Sequence, residues 1–563
     1  MLKLKENLLK NRIVLFLTLL FVGIVAGTVI FFYLDNSRDK HDVTISSVPE
    51  HRPDYINDEV DYHYGVSSDN PIATEIGMNI LENGGNAIDA TIAIAFALAT
   101  LEPYASGIGG DGVLMVHPVD EEPIVYDYRA MAPVSGPAPP SGIGVPGFIA
   151  GMDKVHKDFG SIPFEKLIEP SVELAENGIE IDGIIERRLI DASYRMPVND
   201  LPLFYPDGLP IRSGETLIQE EFSETLRLVM EEGADVFYQG KVGESIASQV
   251  SGLEVEDFKS YEVKIREPIK GSFYGYDVYS PPAPSSGTML IQSLQMAEIL
   301  GIEKASEDHE EFAHLLGEIN RRVHKEKNEY IGDPDFVSVQ EEDLSSIEHS
   351  MDLSETINSE VKDEKFQSQL DTQGDRDGHS NTTHFVVVDK DGTMVSITNT
   401  LSNFFGSGIY VDGFFMNNQM HNFSDRQSSP NREERGKRSN SHMAPSILAH
   451  DHKPIIGIGS AGGRRISSVI TQTLVRTIVN EEPVQHAIDA PRFYLEVYED
   501  TLFTEDDREM DNMRDKGYQI NHSNNTFNFG SVNLLVIDHE SGEVHGGADP
   551  RRNGSWEENN RSD

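Results

Sequence analysis

The sequence predicts a large protein of mixed α and β structure, held at a membrane by its N-terminus. Three observations predict it. The chain has 563 residues, enough to bury a substantial core or to form several domains. Capped apolar helical runs alternate with short apolar strands bounded by turn residues. One long apolar run near the start follows a basic flank.

Lys3, Lys5, Lys10 and Arg12 precede the apolar run Ile13 to Leu34, which is long enough to span a bilayer. Residues 1–34 therefore read as a cytoplasmic tip and a transmembrane signal anchor, leaving everything after Asp35 outside the cell. A cleaved signal peptide is the rival, but the run ends in Phe31-Phe32-Tyr33-Leu34 without small residues for cleavage. Residues 35–61 are polar and lack an apolar period, as a stalk does. From Tyr62 the pattern becomes globular. Asn70-Pro71 caps a helix that Gly84-Gly85 stops, and Asn86 caps a second, Ala87 to Leu101, apolar all round and so expected to be buried. Val113 to Val116 and Ile124 to Tyr126 read as short strands.

Charge and cysteine content exclude whole classes of function. With 46 basic and 94 acidic side chains the net charge is −48, which argues against nucleic acid or an anionic membrane surface as partner. Cysteine is absent, so no disulfide framework, thiolate metal site or cysteine nucleophile exists. No metal or cofactor is called for.

Between Asp333 and Asn381 the chain carries 14 acidic and 3 basic residues and few large apolar ones, the composition of a disordered linker. It runs straight into an apolar strand, Thr383 to Asp389, joined through Lys390-Asp391-Gly392 to a second strand, Met394 to Thr398. Asp-Gly between such runs marks a hairpin. A flexible tail ending abruptly at a core strand suits a chain that is cut there.

Asn381-Thr382-Thr383-His384 stands at that junction. Taken with Gly84-Gly85-Asn86-Ala87-Ile88-Asp89-Ala90, Tyr128-Arg129-Ala130-Met131-Ala132-Pro133, Pro281 to Gly287, Asn417-Asn418-Gln419-Met420, Gly462-Gly463 and Ala548-Asp549-Pro550-Arg551, in this order, it resembles the γ-glutamyltransferase family of N-terminal nucleophile hydrolases. The resemblance extends from Asn70 to about Arg552. It implies an α+β fold, the four-layer αββα sandwich of that type, formed by two autoprocessed subunits: 62–381, ending in the acidic linker 333–381, and 382–563. It also implies cleavage between Asn381 and Thr382. Thr382 then becomes an N-terminal nucleophile whose α-amine, which ordinarily titrates at about 7.7 to 8.0, helps take the hydroxyl proton. Attack on a γ-glutamyl carbonyl forms a glutamyl ester that water or an amine resolves. Thr400 matches the threonine that hydrogen-bonds the nucleophile, Gly462 and Gly463 the oxyanion donors, and Arg129 the arginine that grips the glutamate α-carboxylate.

The departures from the family pattern bear on the substrate. Ser402 stands where the family has Asn, Asn422 where it has Asp, and His442 replaces the second Ser of a Ser-Ser pair that begins at Ser441. With Gln419 these positions are expected to face substrate. The family aspartate balances a free α-ammonium, so neutral Asn422 weakens recognition of a terminal γ-glutamyl group such as that of glutathione. Inside poly-γ-glutamate the α-nitrogen is an uncharged amide and needs no anion. Arg435, Lys437, Arg438, Arg464, Arg465, Arg551 and Arg552 are local cations that could hold a polyanion, and the short segment from Asn422 to Ser441 suggests an open groove. The favoured reading is thus a γ-glutamyl transferase or hydrolase acting on poly-γ-glutamate at the cell surface. A general γ-glutamyltransferase or glutathione hydrolase is the alternative, and an unprocessed protein that only binds a γ-glutamyl polymer is the alternative of another class.

Overall fold

The computed structural model describes residues 62–357, 380–523 and 529–559. The predicted anchor and stalk lie outside the described residues, among which no helix is long and apolar enough to cross a membrane.

Two antiparallel sheets carry the architecture. The strands, in chain order, are β1 (Gly65–Ser68), β2 (Asp111–His117), β3 (Ile124–Asp127), β4 (Lys264–Arg266), β5 (Ile269–Phe273), β6 (Tyr276–Ser280), β7 (Ser380–Val388), β8 (Met394–Asn403), β9 (Ser446–His450), β10 (Lys453–Ala461), β11 (Ser531–Ile537), β12 (Val544–Ala548) and β13 (Ser555–Glu558). One sheet has the order β13-β1-β7-β8-β2-β3-β4 and the other β12-β11-β10-β9-β6-β5. Val113, Met115, Val386, Val388, Met394, Ile447 and Leu535 alternate along their strands so that one face of each sheet meets the other in an apolar layer. Helices α1 (Pro71–Glu82) and α2 (Ala87–Leu101) cover the outside of the first sheet. On the second sheet lie α3 (Gly287–Ile299), α4 (His309–Tyr330), which packs through α3, and, after two short helices named below, α7 (Ile466–Leu474). The result is αββα, as expected.

The local signals explain the helices that position the site. Asn70 accepts the Ile72 amide and Pro71 fills the first turn of α1. Asn86 and Asp89 form a reciprocal capping box at the start of α2. Every residue of α2 is buried, because the helix is wedged between the first sheet and a neighbouring helix, Phe164–Asn177.

The linker is corrected in part. Residues 333–357 are folded: α5 (Glu341–Leu344) and α6 (Ile347–Ser354) pack against α3. Leu344 is buried with Ala283 and Ile331, and the fully buried Asp333 carboxylate accepts the Arg438 amide. The acidic composition hid this, because a few well-placed apolar and capping residues suffice to dock a segment on an existing surface. The rest of the linker, 358–379, lies outside the described residues.

Candidate active site

The predicted hairpin places Thr382 in the sheet. β7 and β8 pair from Met394↔Val388 to Thr400↔Thr382, and then the register shifts, so that Ser402 faces Asn381. Leu401 is the extra residue of a β-bulge, and Ser402 has φ 77°, a left-handed backbone that serine adopts rarely. The Asn381–Thr382 peptide therefore lies opposite the one irregularity in this strand pair, at the end of the regular ladder. Thr400 Oγ1 accepts the Ser402 amide at 2.9 Å and stands 3.5 Å from Thr382 Oγ1. That spacing is long for a hydrogen bond between hydroxyls, and it leaves the two groups poised side by side.

Below Thr382 lies a polar cluster that local sequence signals do not point out. Arg552 donates to the Thr382 carbonyl at 3.1 Å, Thr383 Oγ1 donates to Asp69, and Asp69 also accepts from Ser531 and Asn533. Burial raises the Asp69 carboxyl to about 6 despite the opposing charge of Arg552, and burial together with Asp69 raises Glu102 well above the carboxylate range. Arg552, expected as a polyanion-holding cation, is instead a buried support for the strand that carries Thr382.

Gly462 and Gly463 follow β10 and lead through the turn Gly463–Arg465 into α7, and this turn packs against β7. Gly462 has φ 133° and Gly463 φ 58°. A side chain on Gly462 would meet the Gly530 Cα at 2.9 Å, so the turn needs glycine there. Bare amides at a helix N-terminus next to the Thr382 strand are suited to a developing oxyanion.

Arg129 follows β3 and is fully buried. Its Nη2 donates to the Ser439 carbonyl, while Nε and Nη1 have no hydrogen-bond partner. Two unfilled donors on a buried guanidinium suit a carboxylate arriving from outside the chain. Ser439 also donates to the Gln419 carbonyl at 3.0 Å, and the buried Gln419 Oε1 is unfilled as well. Asn422 is half-buried in the short helix Gln419–Asn422, and its carbonyl accepts from Asn431 at 2.7 Å. Ser441 and His442 lie where two sheet-flanking segments meet α4. Lys327 of α4 donates to the Ser441 carbonyl at 2.7 Å and lies 3.0 Å from His442 Nδ1. Burial first, then the cations Lys327 and Arg464, push His442 far below its usual range, so it is neutral. Lys327 escapes a reading of the sequence because a lysine in a charged helix looks like a solvated one; only the packing of α4 reveals it buried.

Most of the other predicted cations are held by partners within the protein. Arg551 is committed to Glu505 at 2.6 Å, to Asp549 and to the carbonyls of Ile488 and Ala490. These bonds tie the C-terminal segment down. Arg438 is buried beside Asp127 and donates to the Glu262 and Arg129 carbonyls, and Lys437 is buried against the Pro430 carbonyl and Glu434. Arg464 pairs with Glu496 at 3.4 Å and Arg465 lies over the Tyr494 ring, both half-buried, while Arg435 is exposed. In so acidic a chain most arginines are recruited by internal carboxylates. The segment between Asn422 and Ser441 is pinned down by Asn431 and by the Asn440 bond to Ile331. Among the described residues no group of histidine, aspartate and glutamate is arranged to hold a metal.

Residues 73–558 match the profile of the family described as Gamma-glutamyltranspeptidase. The chain is 38% identical over 499 residues to the Capsule biosynthesis protein CapD proenzyme of Bacillus anthracis, covering 88% of this chain and 91% of that one. It is 32% identical over 536 residues to the Glutathione hydrolase proenzyme of Bacillus subtilis, covering 87% and 90%. Among solved structures, the cephalosporin acylase from Bacillus halodurans superposes with a TM-score of 0.79 at 25% identity, over 92% of this chain and 99% of that chain.

Proposed function

Because this chain belongs to the γ-glutamyltranspeptidase family, we propose that it is a proenzyme that cuts itself between Asn381 and Thr382 and then transfers or hydrolyses γ-glutamyl groups, with poly-γ-glutamate as its favoured donor. The observation that carries the reading is the place of Thr382: its hydroxyl lies beside that of Thr400, opposite a bulge, with the Gly462–Gly463 turn packed on the same strand.

Self-cleavage follows from these residues. Thr382 Oγ1 attacks the Asn381 carbonyl, the peptide becomes an ester, and water releases an N-terminal Thr382. Thr400, fixed by the Ser402 amide, orients the hydroxyl. Arg552 keeps the Thr382 carbonyl in place after the strand loses its upstream neighbour. The free α-amine then serves as base, and the hydroxyl attacks a γ-glutamyl carbonyl whose oxyanion takes the amides of Gly462 and Gly463. The unfilled nitrogens of Arg129 receive the donor's α-carboxylate. Water or an amine resolves the ester.

Two features favour the polymer. Asn422 supplies no charge for a free α-ammonium, and the buried Lys327 beside Ser441 and His442 adds a cation on the flank of the site. The N-terminal anchor would display the enzyme at the outer face of the membrane, where a secreted polymer is met. Purified external protein incubated side by side with poly-γ-glutamate and with glutathione tests this; a higher kcat/KM on glutathione removes the polymer reading and leaves a general γ-glutamyltransferase.

A further inference from the structure

Asp111 begins β2 directly across from Thr400, which in turn faces Thr382. Directly opposed residues of antiparallel strands project from the same face, so Thr382, Thr400 and Asp111 form a row across three strands. The row lies on the inner face of the sheet. Two residues along β7, His384 meets Gly459 of the opposite sheet, and two residues along β2, Val113 joins the layer between the sheets.

Asp111 is fully buried, and neither carboxylate oxygen has a hydrogen bond of normal geometry. Such an arrangement is costly unless a partner arrives from outside. The cation that acts on it most strongly is Arg129, which itself keeps two nitrogens unfilled. An acid and a base, both buried and both incompletely satisfied, thus stand at the end of the row that begins with the nucleophile.

Resting on the γ-glutamyl reading above, we propose that Asp111 is a specificity-determining residue: while Arg129 holds the donor's α-carboxylate, the Asp111 carboxyl reads the nitrogen on the same carbon and accepts a free α-ammonium. The donor's own carboxylate would repel an ionised Asp111, so the cation on the same α-carbon is the group it complements. Because Asn422 carries no charge, the preference for the polymer proposed above belongs to the pH range in which Asp111 is protonated, and donors with a free α-ammonium gain as Asp111 ionises. An acylated nitrogen, as inside a polymer, is best accommodated when Asp111 is protonated.

The device is therefore sensitive to pH. Burial raises the Asp111 carboxyl to about 7 against the pull of Arg129 and of the Ala130 amide. The other charged groups acting on it are Asp127 at the end of β3 and Arg438 from the segment 423–440. Tyr128 and Tyr261 are held neutral by burial throughout this range. The Thr382 α-amine serves every donor alike, so its titration cancels in a ratio of donors.

The test uses the processed enzyme with two chromogenic donors, a γ-glutamyl anilide with a free α-amine and the same anilide with that amine acetylated. The ratio of kcat/KM, free over acetylated, should rise roughly ten-fold from about pH 5.5 to about pH 7.5. Asp111→Asn should hold the ratio at its low-pH value. A ratio that does not change with pH in the wild type overturns the proposal without any variant having to fold, and so does an Asp111→Asn enzyme that keeps the rise. Cleavage of neither compound overturns it together with the γ-glutamyl reading, so the two failures are told apart.

Discussion

Asn422 is an uncharged amide where the γ-glutamyltransferase pattern has an acid, and the substrate selection proposed for it can be measured within one protein. A charge-assisted hydrogen bond is about twice as strong as a neutral one. Asn422→Asp should therefore raise kcat/KM on glutathione roughly ten-fold relative to poly-γ-glutamate, with Ser402 and His442 keeping the shift incomplete. An unchanged ratio in a folded, processed variant would remove Asn422 from substrate selection. His384 illustrates a residue whose part is structural. Burial lowers it to about 3, so it is neutral, and its Nδ1 meets Thr398 Oγ1 at 2.9 Å. Its ring fills the space that a Cβ on Gly459 would occupy, with Cε1, Nδ1 and Nε2 all crowding that point. Gly459→Ala should therefore lower stability by about 1–3 kcal/mol, read as a lower denaturant midpoint, because an overpacked interior cannot yield cheaply. A midpoint equal to that of the wild type would mean the ring moves freely.

At the scale of elements, the β7–β8 hairpin combines two tasks. Its apolar middle builds the layer between the sheets, while its end breaks register at Leu401 and presents Thr382 beside Thr400. A peptide bond opposite a bulge is less constrained than one inside the ladder, which suits the self-cleavage proposed between Asn381 and Thr382. Purified protein should separate on a denaturing gel into two chains, the smaller beginning at Thr382, and Thr382→Ala should remain one chain. Activity from a wild type that stays uncut would refute the nucleophile assignment. The hairpin is legible from the chain alone, because two short apolar runs joined through Asp391-Gly392 are local signals. The bulge is not, since no residue type marks it: Ser402 enters the left-handed region only because the surrounding sheet holds it there.

For the molecule as a whole, a charge of −48 coexists with a site rich in cations. The structure reconciles the two by burying Arg129, Lys327 and Arg552 at the site while arginines such as Arg551 pair with internal carboxylates. Under the anchor proposed above, the basic flank ahead of Ile13 to Leu34 would place the enzyme part outside. Protease added to intact cells expressing the full chain should then digest the part after Asp35; complete protection would overturn the external location.

What the sequence determined by itself was whatever local chemistry encodes: the capped helices α1 and α2, the hairpin after Asn381, the glycine turn at Gly462, and, through ordered motifs, the family and with it the αββα layers. What only the tertiary structure decided was which polar residues meet. Asp111, Glu102, Lys327 and Arg552 look like ordinary charged residues along the chain, and Arg438 and Arg551 look like free cations. Their roles depend on burial and on partners distant in sequence, as with the 170-residue separation between Arg552 and Thr382. Electrostatic energy depends on separation in space and on the surrounding dielectric, and neither is a property of sequence neighbours.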